Sequence, residues 1–280
     1  MYLSRHSGES GPRWAVDGRG LPASFSLDLL LQLPADIAPE IVASMATEPE
    51  TLDGPLLAPI EAHHEVWAGG VTYLKSREAR QAESSATGGG DFYARVYDAE
   101  RPELFFKAVG WRVIDPEAAI RKRRDAVWTV PEPELVLVLN SRLEIVGYCA
   151  GNDVSSRDIE GDNALYLPQA KVYDGSCALG PGIVTASADE VSAVRVALEI
   201  VRKGATIFSD TTNTSQMKRT PGELVHHLGS EMSWPQGVYL MTGTSIVPPE
   251  DYSLQPDDVV RITVGSLELN NIVGRDPAPA

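Results

Sequence analysis

The amino-acid sequence predicts an α+β protein in which strands outnumber helices. Apolar runs of strand length recur in the second half of the chain, and the clearest is Leu-Val-Leu-Val-Leu at 135–139. Residues 194–202 alternate between apolar and charged side chains, which is typical of a strand with one buried face. Residues 73–85 are rich in helix formers, and residues 221–228 start with proline and precede Gly229, as a short helix does. This balance favours mixed β-sheets with a few helices.

The composition is ordinary for a globular chain and argues against two kinds of partner. The formal net charge of −15 disfavours a nucleic-acid surface, which needs a basic face. No run of 18 apolar residues occurs, so we expect no membrane span. Because residues 1–20 are polar and Gly-rich, we expect no secretory signal and a cytoplasmic location. In that compartment Cys149 and Cys177 are expected to be reduced thiols.

Residues 1–115 are expected to form a small N-terminal α+β domain. The prolines of residues 21–60 predict short strands and turns, although LDLLLQLP at 27–34 fits a strand or a helix. Residues 67–72 predict a strand, and the helix at 73–85 precedes a triple glycine. Residues 73–90 are therefore either a solvated helix with a hinge or a lid over a site.

Two charged segments follow. Residues 102–107 predict an apolar strand with Glu103 and Lys107 near its ends, where each charge serves either a structural ion pair or a site. Residues 121–124 read Arg-Lys-Arg-Arg. Because acidic residues flank this run, we interpret it as a connecting loop and a subunit contact rather than an anion site.

Two carboxylates stand at the start of the 135–139 strand. Successive side chains of a strand alternate in direction, so Glu132 and Glu134 project to one face while Pro133 projects away. This arrangement is either a solvated strand entrance or a pair held together by a hard cation such as Mg²⁺, Mn²⁺ or Ca²⁺.

A third carboxylate joins them through a predicted hairpin. Residues 144–150 predict a second strand, connected to the first by a turn at 140–142, and Asp153 follows it. The hairpin brings Asp153 back beside Glu132 and Glu134. Three carboxylates with few other ligands leave coordination positions open, as a catalytic divalent site requires.

Further along, Lys171 is a lone cation in a stretch with little other charge. It is either a surface lysine or a group that contacts a substrate carboxylate or an enolate oxygen. Residues 175–182, GSCALGPG, predict a tight loop that frames the site.

The C-terminal third predicts strands at 238–241, 259–264 and 267–273. The turn at 242–244, Thr-Gly-Thr, is either ordinary or a holder of a carboxylate through its hydroxyl and backbone N–H groups. His226 and His227 are adjacent on the helix at 221–228, so they point about 100° apart and we interpret them as structural.

The segments E-P-E, G-N-D-V-S-S-R-D, Q-A-K and L-G-P together resemble the fumarylacetoacetate hydrolase family over residues 65–275. The resemblance implies Mg²⁺ held by Glu132, Glu134 and Asp153, with Arg157 and Lys171 facing a small 2-oxo acid substrate. It also implies that residues 116–280 form a catalytic domain of mixed sheets rolled into a distorted barrel, in a homodimer or homotetramer.

Other residues are expected near the substrate. Lys107 and Thr244 match family positions that lie beside it, and Ser76 with Arg77 could hold sugar hydroxyls on the lid. Glu103, Glu78 and a metal-bound water are the candidate bases. For Lys171 we expect a catalytic role, which is to stabilise an enolate.

One missing residue separates the reaction types. Hydrolases of this family use a His–Glu pair shortly after a tyrosine on the lid, whereas residues 73–80, YLKSREAR, contain no histidine. We therefore expect a dehydratase that converts a 2-keto-3-deoxy-pentonate, of the D-arabinonate form, to 2,5-dioxopentanoate and water. The alternatives are a hydrolase or decarboxylase acting on an acylpyruvate-like 2-oxo acid, and a binding protein that has kept the fold.

Overall fold

The N-terminal part of the chain combines short strands with two helices. The computed structural model describes residues 1–46, 51–84 and 95–275. The first elements are β1 (Tyr2–His6), β2 (Arg13–Val16), β3 (Arg19–Gly20), α1 (Leu27–Gln32), α2 (Ala38–Met45) and β4 (Leu56–Leu57). The expectation of short strands and turns at 21–60 is therefore wrong for α2, and the segment 27–34, which fits a strand or a helix, contains the helix α1. Leu27, Leu30 and Leu31 are all buried, at the spacing of one helix face, and Pro39 lies in the first turn of α2, where a proline costs no hydrogen bond.

The central and C-terminal elements largely follow the predicted order. They are β5 (Glu65–Gly70), α3 (Leu74–Ser84), β6 (Glu103–Val109), β7 (Ala119–Ile120), β8 (Thr129–Val130), β9 (Pro133–Leu139), β10 (Ile145–Asp153), β11 (Ser155–Ser156), α4 (Arg157–Asp162), α5 (Leu167–Lys171), β12 (Cys177–Val184), β13 (Arg195–Arg202), β14 (Ala205–Asn213), α6 (Pro221–Leu228), β15 (Val238–Met241), β16 (Val259–Val264) and β17 (Leu267–Val273). The loop predicted at 175–182 is wrong over most of its length, because β12 pairs with both β1 and β10.

Two large sheets pack face to face around the core. The ten-stranded sheet has the order β3-β2-β1-β12-β10-β9-β15-β5-β6, with β4 beside β1, and the five-stranded sheet has the order β14-β13-β16-β17-β7. Strands β9, β10 and β12 contact β13, β16 and β17 of the second sheet. The α+β class is confirmed, but in the described part of the chain neither strand order closes on itself. The sheets are open layers rather than a distorted barrel.

The larger sheet draws strands from both sides of residue 115. Strand β1 pairs with β12, and β5 runs parallel to β15. A division of the chain at residue 115 stays a prediction. Among the described helices, none has the length and apolar character needed to cross a bilayer.

The β9–β10 hairpin positions the candidate site. All seven residues of β9 are buried, because β10 and β15 flank the strand within its sheet and the second sheet packs against it. The turn is fixed by the Asn140 side chain, whose oxygen accepts from the backbone N–H groups of Arg142 (3.0 Å) and Glu144 (2.9 Å). The resulting register pairs Gly151 with Glu134 and brings Asp153 to the start of β9.

Candidate metal and substrate site

Three buried carboxylates converge at the open end of the β9–β10 hairpin. Glu132, Glu134 and Asp153 each offer one oxygen, and these oxygens lie within 4.8 Å of one another. The backbone N–H of Asp153 donates to the carbonyl of Glu132 at 3.0 Å, so the hairpin register itself produces the convergence. Each of the three residues is at most 4% exposed, which rules out a solvated strand entrance.

The chemistry of this triad fits a hard divalent cation. Burial raises the pKa of Glu134 well above its ordinary value, and the neighbouring charges of Asp153 and Glu132 raise it further. The backbone N–H of Gly243 donates to Glu134 Oε2 at 2.5 Å and orients that carboxyl group. Carboxylate oxygens are the preferred ligands of Mg²⁺, Mn²⁺ and Ca²⁺, and a divalent charge offsets their mutual repulsion.

Lys171 is buried against two members of the triad rather than exposed on the surface. Its Nζ lies 2.8 Å from Glu132 Oε2 and 2.9 Å from Asp153 Oδ2, and it donates to Ser155 Oγ at 2.6 Å. Helix α5 ends at Lys171 and carries its side chain to this position. The ammonium therefore stands where a substrate oxygen beside the triad would meet positive charge.

Arg157 places a second cation on the triad. Its Nη2 lies 2.8 Å from Glu132 Oε1, and the side chain is 2% exposed. Arg157 begins α4, which also carries the buried Glu160, with 3.9 Å between Arg157 Nε and Glu160 Oε2. Helix α4 thus brings both charges to the same side of the site.

Lys107 provides a third cation, deeper in the protein. Its Nζ lies 2.5 Å from Asp153 Oδ1, and it donates to the carbonyl oxygens of Lys171 at 2.6 Å and Val154 at 3.2 Å. The residue is fully buried and does not line the pocket beside the triad.

That pocket contains several of the residues predicted to meet the substrate. Glu103, Ser76 and Thr244 line it, together with Glu132, Asp153, Arg157 and Lys171. The Glu103 carboxylate lies against Gly70, where an added Cβ would come within 2.0 Å of Glu103 Oε2. Gly70 leaves room for that carboxylate in its present position. Ser76 Oγ donates to the Tyr73 carbonyl at 2.7 Å, which holds the hydroxyl at the start of α3.

Two of the predicted lid residues lie elsewhere in the structure. The Arg77 guanidinium packs over the Tyr97 ring, 4.9 Å from its centroid, and the Glu78 side chain is 59% exposed. Neither lines the pocket, so their roles stay predictions. Residues 85–90 of the predicted lid, which include the triple glycine, lie outside the described residues.

Sequence reasoning missed three residues of the site. Ser155 Oγ accepts a hydrogen bond from the Lys171 ammonium, the Phe105 ring centroid lies 5.6 Å from Lys171 Nζ, and Glu160 lines the pocket. Sequence signals could have found the last two. Phe105 falls between Glu103 and Lys107 at the period of a strand, and Glu160 follows Arg157 by three residues on a helix.

The two cysteines are buried free thiols. Cys177 pairs with Asp153 across the β10–β12 register, but burial raises its pKa to about 12. Burial also raises the pKa of the Cys149 thiol. Because the thiolate is the nucleophile, neither cysteine suits covalent chemistry at this site.

A second group of metal-ligand types occurs near α1 but has the wrong surroundings. Asp28 Oδ1 lies 2.9 Å from Nε2 of both His63 and His64. The other ring nitrogen of His64, Nδ1, accepts a hydrogen bond from the backbone N–H of Glu61 at 3.3 Å. A metal-bound histidine normally donates from its second nitrogen to an acceptor, so this geometry favours a proton-bearing cluster over a metal centre.

Acid should weaken the fold through His64. Burial lowers the pKa of His64, and the neighbouring charge of His63 lowers it further. The unfolded chain therefore takes up this proton at a higher pH than the folded chain does. Stability is thus complete above the unfolded pKa of about 6.5 and is lost as pH falls through the folded pKa, by at most about 1.4 kcal/mol per pH unit. The free energy of unfolding, measured with urea at several pH values across this range, should depend less steeply on pH for His64→Gln than for wild type. An equal pH dependence, with exposed His226→Gln as the control, would refute this assignment.

Comparison with known proteins places the chain in a family. The family described as fumarylacetoacetate (FAA) hydrolase C-terminal matches residues 78–273, and the chain belongs to it. The chain is 48% identical over 217 residues to the probable 2-keto-3-deoxyxylonate dehydratase of Haloferax volcanii, covering 77% of this chain and 73% of that protein. It is 44% identical over 207 residues to the 2-dehydro-3-deoxy-D-arabinonate dehydratase of Saccharolobus solfataricus, covering 72% and 69%. The family expected from the motifs is confirmed.

Solved structures agree with this placement. A hexagonal crystal form of 2-keto-3-deoxyarabinonate dehydratase is 35% identical, with a TM-score of 0.82 over 99% of this chain and all of that one. A 2-keto-3-deoxy-D-arabinonate dehydratase complexed with magnesium and 2,5-dioxopentanoate is 33% identical, with a TM-score of 0.78 over 98% and 99% of the two chains. The similarity therefore extends across nearly the whole chain and is not limited to the site motifs.

Proposed function

We propose that this protein is a Mg²⁺-dependent hydro-lyase that dehydrates 2-keto-3-deoxy-D-arabinonate to 2,5-dioxopentanoate. The observation that carries the proposal is the buried triad of Glu132, Glu134 and Asp153, with the Lys171 ammonium bridging Glu132 and Asp153. The two relatives described above are named as dehydratases of 2-keto-3-deoxy pentonates, and one related structure contains magnesium with 2,5-dioxopentanoate.

The substrate names of the two relatives describe the same compound within the D series. Arabinonate and xylonate differ only in configuration at C2 and C3, and both centres are lost when C2 becomes a ketone and C3 a methylene. Within the D series a single compound remains, with its stereocentre at C4. The relatives' names therefore support one substrate.

Glu132, Glu134 and Asp153 would hold the Mg²⁺, with Mn²⁺ or Ca²⁺ as substitutes of the same ligand preference. A divalent ion at this place would polarise the 2-oxo group and acidify the C3 protons. Lys171 and Arg157 add positive charge on the same side, where the substrate carboxylate and the enolate oxygen would gather negative charge.

The remaining steps are proton transfers. We assign removal of a C3 proton to Glu103, because its carboxylate lies in the pocket against Gly70. The C4 hydroxyl leaves with a proton as water, and a C3=C4 double bond forms. Transfer of one C5 proton to C3, followed by tautomerisation of the C4=C5 enol, produces the C5 aldehyde. One water is the only material lost, as the proposed product requires.

The hydrolase alternative lacks the histidine that hydrolases of this family use as their base. Hydrolysis of an acylpyruvate needs a group that activates water, and among the described residues that line the pocket none is a histidine. His64, the buried histidine nearest in sequence to the predicted lid, contacts Asp28 and Glu61 instead. The site therefore favours elimination over hydrolysis.

An assay with two substrates tests the reaction type. With Mg²⁺ present, we expect 2-keto-3-deoxy-D-arabinonate to yield 2,5-dioxopentanoate, measured by mass spectrometry, and we expect excess EDTA to abolish the turnover because the triad loses its cation. Acylpyruvate should remain intact. Cleavage of acylpyruvate with no dioxopentanoate formed would favour the hydrolase, and full activity in EDTA would contradict the metal.

Substitution of Lys171 tests the enolate role. Lys171→Ala removes an ammonium that is worth most when negative charge develops, so kcat should fall by about 10²- to 10³-fold while KM changes much less. Steady-state kinetics at saturating Mg²⁺ make the measurement, with exposed Lys203→Ala as the control. An unchanged kcat for Lys171→Ala would refute the role.

The cellular location, the subunit assembly and the domain division are also proposed. We place it in the cytoplasm as a homodimer or homotetramer, and the support is the family resemblance together with two thiols left unpaired. We also retain a small N-terminal region to residue 115 and a catalytic region from residue 116. Light scattering of the purified chain would measure the subunit count.

A further inference from the structure

We infer that Lys107 is a positioning residue, which holds Asp153 and the end of α5 in place and does not bind substrate. The Phe-x-Lys pattern at 105–107 suggested a substrate contact, and the geometry around the ammonium points to a different role. The inference rests on the proposed function only in taking Asp153 as a metal ligand.

Three oxygens already surround the Lys107 ammonium. It donates hydrogen bonds to the Lys171 carbonyl at 2.6 Å and the Val154 carbonyl at 3.2 Å, and it forms an ion pair with Asp153 Oδ1 at 2.5 Å. The side chain is fully buried. A substrate atom could bind Lys107 only by displacing one of these acceptors.

The direction of β6 supports the same assignment. Glu103 and Phe105 lie at alternate positions of β6, and both line the pocket, whereas Lys107 does not. The register between β5 and β6 shifts at Lys107, which pairs with no residue of β5. At this irregularity Lys107 reaches past the pocket to Asp153 and the end of α5 behind it.

The contacts of Lys107 connect three separate elements. Strand β6 is an edge of the ten-stranded sheet, Asp153 ends β10, and Lys171 ends α5. By holding Asp153 Oδ1, Lys107 leaves Oδ2 directed at the Lys171 ammonium, which lies 2.9 Å away. By binding the last carbonyl of α5, it satisfies a group that the helix cannot. One ammonium therefore contacts both the metal ligand and the end of the helix that carries the substrate-facing lysine. The Lys171 carbonyl accepts a second hydrogen bond from Ser176 Oγ at 2.9 Å.

The positioning role and the substrate role predict different measurements. If Lys107 orients Asp153, its loss should weaken metal binding, since removing a residue that orients a metal ligand typically costs about 10- to 100-fold in affinity. The KM for substrate should then change by less than about threefold at saturating metal while kcat falls. If Lys107 instead binds substrate, KM should rise while metal affinity stays unchanged.

The experiment compares Lys107→Met with wild type. Mn²⁺ binding to EDTA-treated protein is followed by electron paramagnetic resonance, and thermal unfolding confirms that the variant folds. Lys203→Met, which removes an exposed lysine in the β13–β14 turn, is the matched control. We expect at least about tenfold weaker Mn²⁺ binding for Lys107→Met alone. Equal Mn²⁺ affinity overturns the inference, whereas failure of wild type to bind Mn²⁺ would overturn the proposed metal site instead.

A second measurement keeps the inference testable if Lys107→Met does not fold, since it leaves Asp153 buried beside one fewer cation. Wild-type crystals soaked with Mg²⁺ and pyruvate, which shares the 2-oxo acid end of the substrate, should show Lys107 Nζ on Asp153, Val154 and Lys171 with no pyruvate atom in hydrogen-bonding range. A direct hydrogen bond from Lys107 to pyruvate would overturn the positioning role.

Discussion

Three carboxylates buried within 4.8 Å of one another repel strongly when all are ionised, and the rest of the site offsets that repulsion. At an effective dielectric constant of about 20, each pair at this distance costs about 3.5 kcal/mol, so three pairs approach the roughly 5–15 kcal/mol by which a whole domain is stable. Lys171 bridges Glu132 and Asp153, while Arg157 and Lys107 hold their outer oxygens. Glu134 accepts a hydrogen bond from the backbone N–H of Gly243. Burial raises the pKa of Glu134, and the repulsion of Asp153 and Glu132 raises it further.

The scaffold is rigid where this charge balance demands it. Strand β9 is buried along its whole length, and its hairpin with β10 fixes which residues meet at the open end. A shift of one residue in that register would turn Glu134 to the opposite face and disperse the triad. The cations come from β6, α4 and α5, so each carboxylate is held by an element other than its own. Residues that serve chemistry and residues that serve stability are thus largely the same.

The parts that could be predicted from the sequence are those set by local pattern. The apolar run at 135–139, the turn after it and the returning strand fixed the hairpin, and the hairpin placed Asp153 beside Glu132 and Glu134. Prediction failed where tertiary contacts override composition. The glycine- and proline-rich stretch 175–182 resembles a loop, yet neighbours on both sides make most of it β12. The role of Lys107 depends on partners 47 and 64 residues away, which no local pattern reveals.

The position of the bound cation can be measured directly in crystals. Crystals of the protein soaked in Mn²⁺ should give an anomalous difference peak at the manganese absorption edge, within coordination distance of carboxylate oxygens from Glu132, Glu134 and Asp153. The same soak of Glu134→Gln should give a weaker peak or none, because one charged ligand is lost. Absence of a peak at the triad in wild type, or a peak only beside Asp28, His63 and His64, would contradict the account.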